Sequence, residues 1–95
     1  MCELQVPGGT HADVTALEQQ VGQRLAAAGG PPEGLMFLCV HPHQGGFRVV
    51  MVFRSQASAE AEINGPLRGD AAVVGLDLGQ PAFAPVWSMA LPGSA

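Results

Sequence analysis

Two apolar runs joined by a turn signal constrain this chain more than any other feature. GLMFLCVH spans residues 34–41 and FRVVMVFR spans 47–54, with PHQGG between them. Eight residues is a strand length rather than a helix length, and both runs are bounded by Gly or Pro. The second is rich in β-branched and aromatic side chains, which fit a pleated, packed surface. Two such runs joined by a short Gly-containing link read as an antiparallel hairpin. The chain must therefore build a sheet around these two strands and cover it.

The flanking sequence supplies the cover. Residues 2–6, CELQV, alternate Cys2, Leu4 and Val6 against Glu3 and Gln5, a strand with one polar face. Thr10 follows PGG as a helix N-cap, with Asp13 three residues on as its reciprocal partner. Val14, Leu17, Val21, Leu25 and Ala28 then recur at helical spacing until Gly29-Gly30-Pro31-Pro32 ends the helix. Ser55 caps a second helix through QASAEAEIN, which Gly65-Pro66 interrupts, and a short helical turn is expected over 70–74. AFAPVWSMAL, 82–91, alternates large and small residues, and Pro85 within it argues for an edge strand.

The order is β-α-β-β-α-β: an α+β, ferredoxin-like arrangement of one four-stranded antiparallel sheet with two helices on one face. One domain over 1–91 and a flexible C-terminal tail, 92–95, are expected. Two helices cover one face only. With Met51, Phe53 and Trp87 expected on the other, the apolar patch exceeds what a soluble monomer tolerates. A self-complementary homodimer through the sheet face would cover it.

Several function classes fall away. Four arginines, no lysine and a net charge of −4 assemble no basic face for nucleic acid. No apolar run reaches membrane-span length. MCELQVPGG lacks a basic n-region and an apolar core, so a cytoplasmic location is expected. Cys2 and Cys39, outside any Cys-x-x-Cys motif, read as reduced thiols. The abundance of Ala and Gly and the absence of Lys suggest a bacterial, high-GC genome.

PPEGLMFLCV, GGFRVVMVFRS and the helix after them, about residues 31–70, resemble the dimeric α+β barrel superfamily. The nearest likeness is to small antibiotic biosynthesis monooxygenase-like proteins. The resemblance implies a dimeric barrel whose apolar pocket takes an aromatic or polyketide-like molecule, lined by Leu38, Met51, Phe53 and Trp87. It implies a cofactor-independent monooxygenase or related accessory enzyme, in which Asn64 and Arg48 donate hydrogen bonds to a substrate enolate or phenolate and Trp87 walls the site. No cofactor is required. This chain departs from the pattern where relatives often carry polar groups: it has Leu38 for a His, Met51 for an acid, Phe53 for a Trp and Arg54 for an acid. Those losses favour the alternative, a non-enzymatic hydrophobic-ligand-binding or structural protein of the same fold. Haem degradation is a distant third, since no His falls on helix 2 or strand 4.

His41-x-His43 is the remaining chemical motif. Residues i and i+2 of a strand share a face, and Cys39 precedes them on it, a spacing open to zinc or iron. Pro42 between the two and Gly45-Gly46 after them read instead as a hairpin rim without metal. His11 reads as an exposed helix-start residue. Arg48 and Arg54, flanking strand 3, face Glu3, Glu60 or Glu62 as ordinary ion-pair partners if they bind no substrate.

Overall fold

The computed structural model describes residues 1–89 of the 95-residue chain. Strand β1 (Cys2–Val6) leads into helix α1 (His11–Ala28), followed by the hairpin of β2 (Leu35–His43) and β3 (Gly46–Phe53). A second helical unit runs without a break from α2 (Gln56–Glu62) through a π-helical turn (Ile63–Leu67) into α3 (Arg68–Val73), and β4 (Ala82–Phe83) closes the order. The sheet order is β2-β3-β1-β4 with every neighbour antiparallel. This is an α+β fold compatible with a ferredoxin-like arrangement, provided the three consecutive helical pieces count as one unit.

Local chemistry sets the element ends. Thr10 and Asp13 form a reciprocal capping box: the Asp13 amide donates to Thr10 Oγ1 at 3.2 Å and the Thr10 amide to Asp13 Oδ2 at 2.9 Å. Gly29, at φ +87°, ends α1 in the left-handed region. Ser55 caps α2 by accepting the Ser58 amide at 3.1 Å. In the hairpin, Gln44 (φ +47°) and Gly45 (φ +77°) form a two-residue loop of the type I′ kind between the paired His43 and Gly46.

Three boundaries differ from expectation. The β2 strand continues through Pro42 to His43, so both histidines stand on the strand and only Gln44-Gly45 turns. Pro42 is admitted because β2 is an edge strand, where a missing donor costs no ladder bond. Gly65-Pro66 does not stop the second helix. A π turn, with its extra residue, absorbs the proline, and helix resumes at Arg68. The expected long fourth strand shortens to Ala82–Phe83, extended only by mutual backbone bonds between Met1 and Ala84. Pro85 then offers no N–H, and the chain leaves the sheet. Residues 90–95, with Leu91 and the expected tail, lie outside the described residues.

The core sits between sheet and helices. Cys2, Leu4 and Val6 of β1 meet Phe47, Val49 and Met51 of β3 in register, and Ile63, Leu67 and Ala71 pack on them from the helical layer. This corrects the assignment of faces. Met51, 3% exposed, points under the helices rather than to the open side, and Phe53 shares that side. The open face carries Glu3, Gln5, His41, His43 and Arg48 beside the apolar Phe37, Cys39, Val50 and Val52. Met51 and Phe53, two of the large residues expected to drive face-to-face stacking of two sheets, are therefore not on that face.

Candidate functional site

Helix α1 is fastened near its C-terminal end by one ionic clamp. Arg24 lays its guanidinium fork on Glu62, with Nη1–Oε1 at 3.1 Å and Nη2–Oε2 at 2.7 Å, while Nε donates to Asp70 Oδ2 at 2.6 Å. Gln20 adds a weaker bond to Asp70 Oδ1 at 3.4 Å. Both carboxylates are buried and the arginine is 23% exposed. Burial alone would lower the Arg24 pKa, but the hydrogen bonds from Asp70 and Glu62 and their charges more than offset it and hold the guanidinium above its usual range. The clamp draws α1 toward the second helical unit.

Beside the clamp, between α1 and the β2–β3 hairpin, the packing leaves a cavity of about 250 Å³. Leu17, Val21 and Leu25 line it from α1, Leu38 and Met51 from the sheet, and Leu78 from the loop after α3. Gly22 contributes no side chain to fill the gap, and nothing lies within 4 Å of where its Cβ would stand. Apart from the paired Arg24 and Glu62 and the exposed Glu18, every lining side chain is apolar. Among the described residues no buried side-chain polar atom lacks a hydrogen-bond partner. The cavity wall thus holds no spare donor to polarise a bound oxygen.

A larger, more open cleft of about 640 Å³ lies at the other end of the sheet, where Met1, Met36, Arg54 and the segment after β4 meet. Trp87 stands at its rim, 96% exposed. An aromatic ring so exposed neither encloses a ligand nor contributes burial.

The sequence-derived pocket residues therefore divide. Leu38, Met51 and Phe53 line the apolar cavity together; Trp87 lines the open cleft, which Phe53 also borders. The three candidate catalytic residues are not brought together. Asn64 is exposed on the π-helical turn. Arg48 lies on the open face of the sheet, donating from Nε to His41 Nε2 at 2.8 Å and reaching Glu3 at 3.5 Å. Val21 and Leu25 were visible as part of the α1 stripe, whereas Leu78, in the irregular DLGQ stretch, carried no periodic signal.

His41 is fully engaged. Its Nδ1 meets the Pro42 carbonyl at 2.9 Å and must donate there, while Nε2 accepts from Arg48, which fixes the neutral Nδ1–H tautomer. His43 presents its ring edge-on at 6.0 Å between centroids. Among the described residues, no three His, Cys, Asp or Glu side chains gather as metal ligands. His11 is exposed at the start of α1.

Cys2 and Cys39 are both free. They sit opposite Met51 and Val50, consecutive residues of β3, and so point to opposite faces of the sheet. They cannot bridge within one chain without moving the backbone. Burial raises the Cys2 thiol above its ordinary range, with Glu3 adding to the effect and the nearby amino terminus opposing it. Among the described residues no helix is long and apolar enough to cross a membrane. Set beside protein-family models, curated proteins and solved structures, the chain matches none of them.

Proposed function

We propose that this protein is a cytosolic carrier or sensor of a small apolar molecule, held in the cavity between α1 and the β2–β3 hairpin. One observation supports this reading above the others: a partly open, apolar cavity of about 250 Å³ whose polar lining groups are already paired or solvated. An aliphatic cavity of about 150 Å³ accepts benzene, and drug-sized pockets begin near 300 Å³, so the occupant is about one or two fused rings. A ligand of that size, held by contact alone, binds with a Kd of roughly ten to a hundred micromolar. The free thiols on opposite faces accord with a reducing compartment.

The cofactor-independent monooxygenase implied by resemblance asks more of the site. Its substrate oxygen needs donors at the ring, and Asn64, Arg48 and Trp87 do not border the cavity. Binding without chemistry is the better supported function. A neutral naphthalene-based fluorophore tests it: emission is expected to rise and shift to the blue with wild type and with Trp87→Ala, but not with Val21→Phe, which fills the cavity. Equal binding by Val21→Phe, or loss in Trp87→Ala, would move the site elsewhere. Oxygen uptake with an anthrone substrate would replace binding by oxygenase chemistry.

A further inference from the structure

We propose that the β2 edge is a self-association surface, along which two copies join antiparallel about a two-fold axis at Cys39 into one eight-stranded sheet. Strand β2 is the outermost of the sheet, pairing only with β3 among the described residues. It carries no lysine and no carboxylate along its nine residues, LMFLCVHPH, so the usual charged protection of an edge is missing.

The hairpin register fixes which backbone groups face outward. His43 and Gly46 flank the two-residue loop as a hydrogen-bonded pair, and the ladder alternates from there. His41 and Cys39 therefore spend their N–H and C=O on β3, while Pro42, Val40 and Leu38 turn theirs away. Pro42 has no N–H, and its carbonyl is occupied by His41 Nδ1. At the other end the register slips between Leu35 and Phe37, leaving Met36 as a bulge. The unspent edge is thus two residues long: the amides and carbonyls of Leu38 and Val40.

Only one symmetric register uses all of them. A two-fold through Val40 sets Leu38 against Pro42 of the second copy and loses a bond at each Pro42. A two-fold through Leu38 sets Val40 against the bulge. A two-fold through Cys39 pairs Leu38 with Val40 of the second copy, and Val40 with its Leu38, satisfying all four donors and acceptors. The side chains agree with this register. On the helix side Leu38, 52% exposed in one copy, meets Val40 of the other. On the open side Phe37 meets His41, and the two Cys39 residues stand directly opposite. No like charges face each other. The contact is short, so the association is expected to be weak and concentration-dependent. It also covers Leu38 and Val40, which line the apolar cavity, but does not depend on any ligand there.

Two measurements on the full chain test this. Treatment with diamide, which takes two electrons and two protons from a pair of thiols, is expected to give a disulfide-linked dimer. The dimer should persist in Cys2→Ser and vanish in Cys39→Ser, since opposed cross-strand cysteines lie within disulfide reach. Sedimentation from micromolar to millimolar concentration should carry the mass from 9.7 kDa toward twice that value. Leu38→Lys, which sets an ammonium against the edge at an already half-exposed position, should hold it at 9.7 kDa with unchanged circular dichroism. A wild type that stays monomeric at millimolar concentration overturns the proposal. So does a dimer that survives Leu38→Lys, because Leu38 points away from the open sheet face and a face-to-face dimer would not feel it.

Discussion

Arg24 holds two carboxylates with one guanidinium, and the arrangement is asymmetric in what it can lose. Glu62 and Asp70 are buried with their oxygens aimed at the fork. Removing the cation leaves two like charges facing each other with little water to screen them, so Arg24→Met is expected to cost about 3 kcal/mol in urea unfolding, the low end for a buried pair because the guanidinium is partly solvated. Replacing all three together, as Arg24→Met with Glu62→Met and Asp70→Leu, should recover most of the loss, since an apolar trio needs no desolvation to be offset. Equal losses in the single and triple variants would show that the clamp acts through shape rather than charge. None of this was legible in the sequence. Glu62 and Asp70 lie 38 and 46 positions from Arg24, and no local pattern joins them to it.

At the scale of elements, glycine shows how position decides the sign of one chemical change. Gly46 opens β3 where the end of β1 crosses it. A Cβ there would run into the Val6 carbonyl oxygen and stand 2.8 Å from the Gly8 amide nitrogen. Backbone cannot swing aside as a side chain does, so Gly46→Ala is expected to destabilise by about 2–3 kcal/mol. Gly22, mid-helix in α1 with open space around it, gives the opposite: Gly22→Ala should stabilise by about 1 kcal/mol through helix propensity. Paired chemical denaturation checks both, and shifts of the same sign would refute the argument. The caps at Thr10, Ser55 and Gly29 and the hairpin runs were readable because each is a local matter of turn chemistry and period. The π turn through Pro66 and the shortened β4 were not. In the first, buried Ile63 and Leu67 hold the helix to the core across a proline that local rules would make a stop. In the second, alternation alone could not show that the strand's partner ends at Met1.

For the whole molecule, the decisive fact is that a small core leaves a partly open apolar cavity at its side. The face of the sheet that meets the helices was mistaken at sequence level. Both hairpin strands are apolar on each side, and periodicity cannot say which side the helices take. The helices cover Met51 and Val49, and the loop after α3 adds to the wall of the apolar cavity beside them. Leu78 does so: it is 1% exposed, although it belongs to no regular element. A domain of this length is held by about 5–10 kcal/mol. Leu78→Ala is therefore expected to cost about 3 kcal/mol, which lowers the melting temperature by roughly 15–20 °C. The same substitution widens the cavity, so a probe with a third fused ring, too large for wild type, should bind the variant and restore part of the lost melting temperature. Calorimetry with and without the larger probe reads both effects. A Leu78→Ala protein that melts like wild type would mean the loop is not part of the wall; one that melts early but gains nothing from the probe would mean the space collapses when its plug is removed.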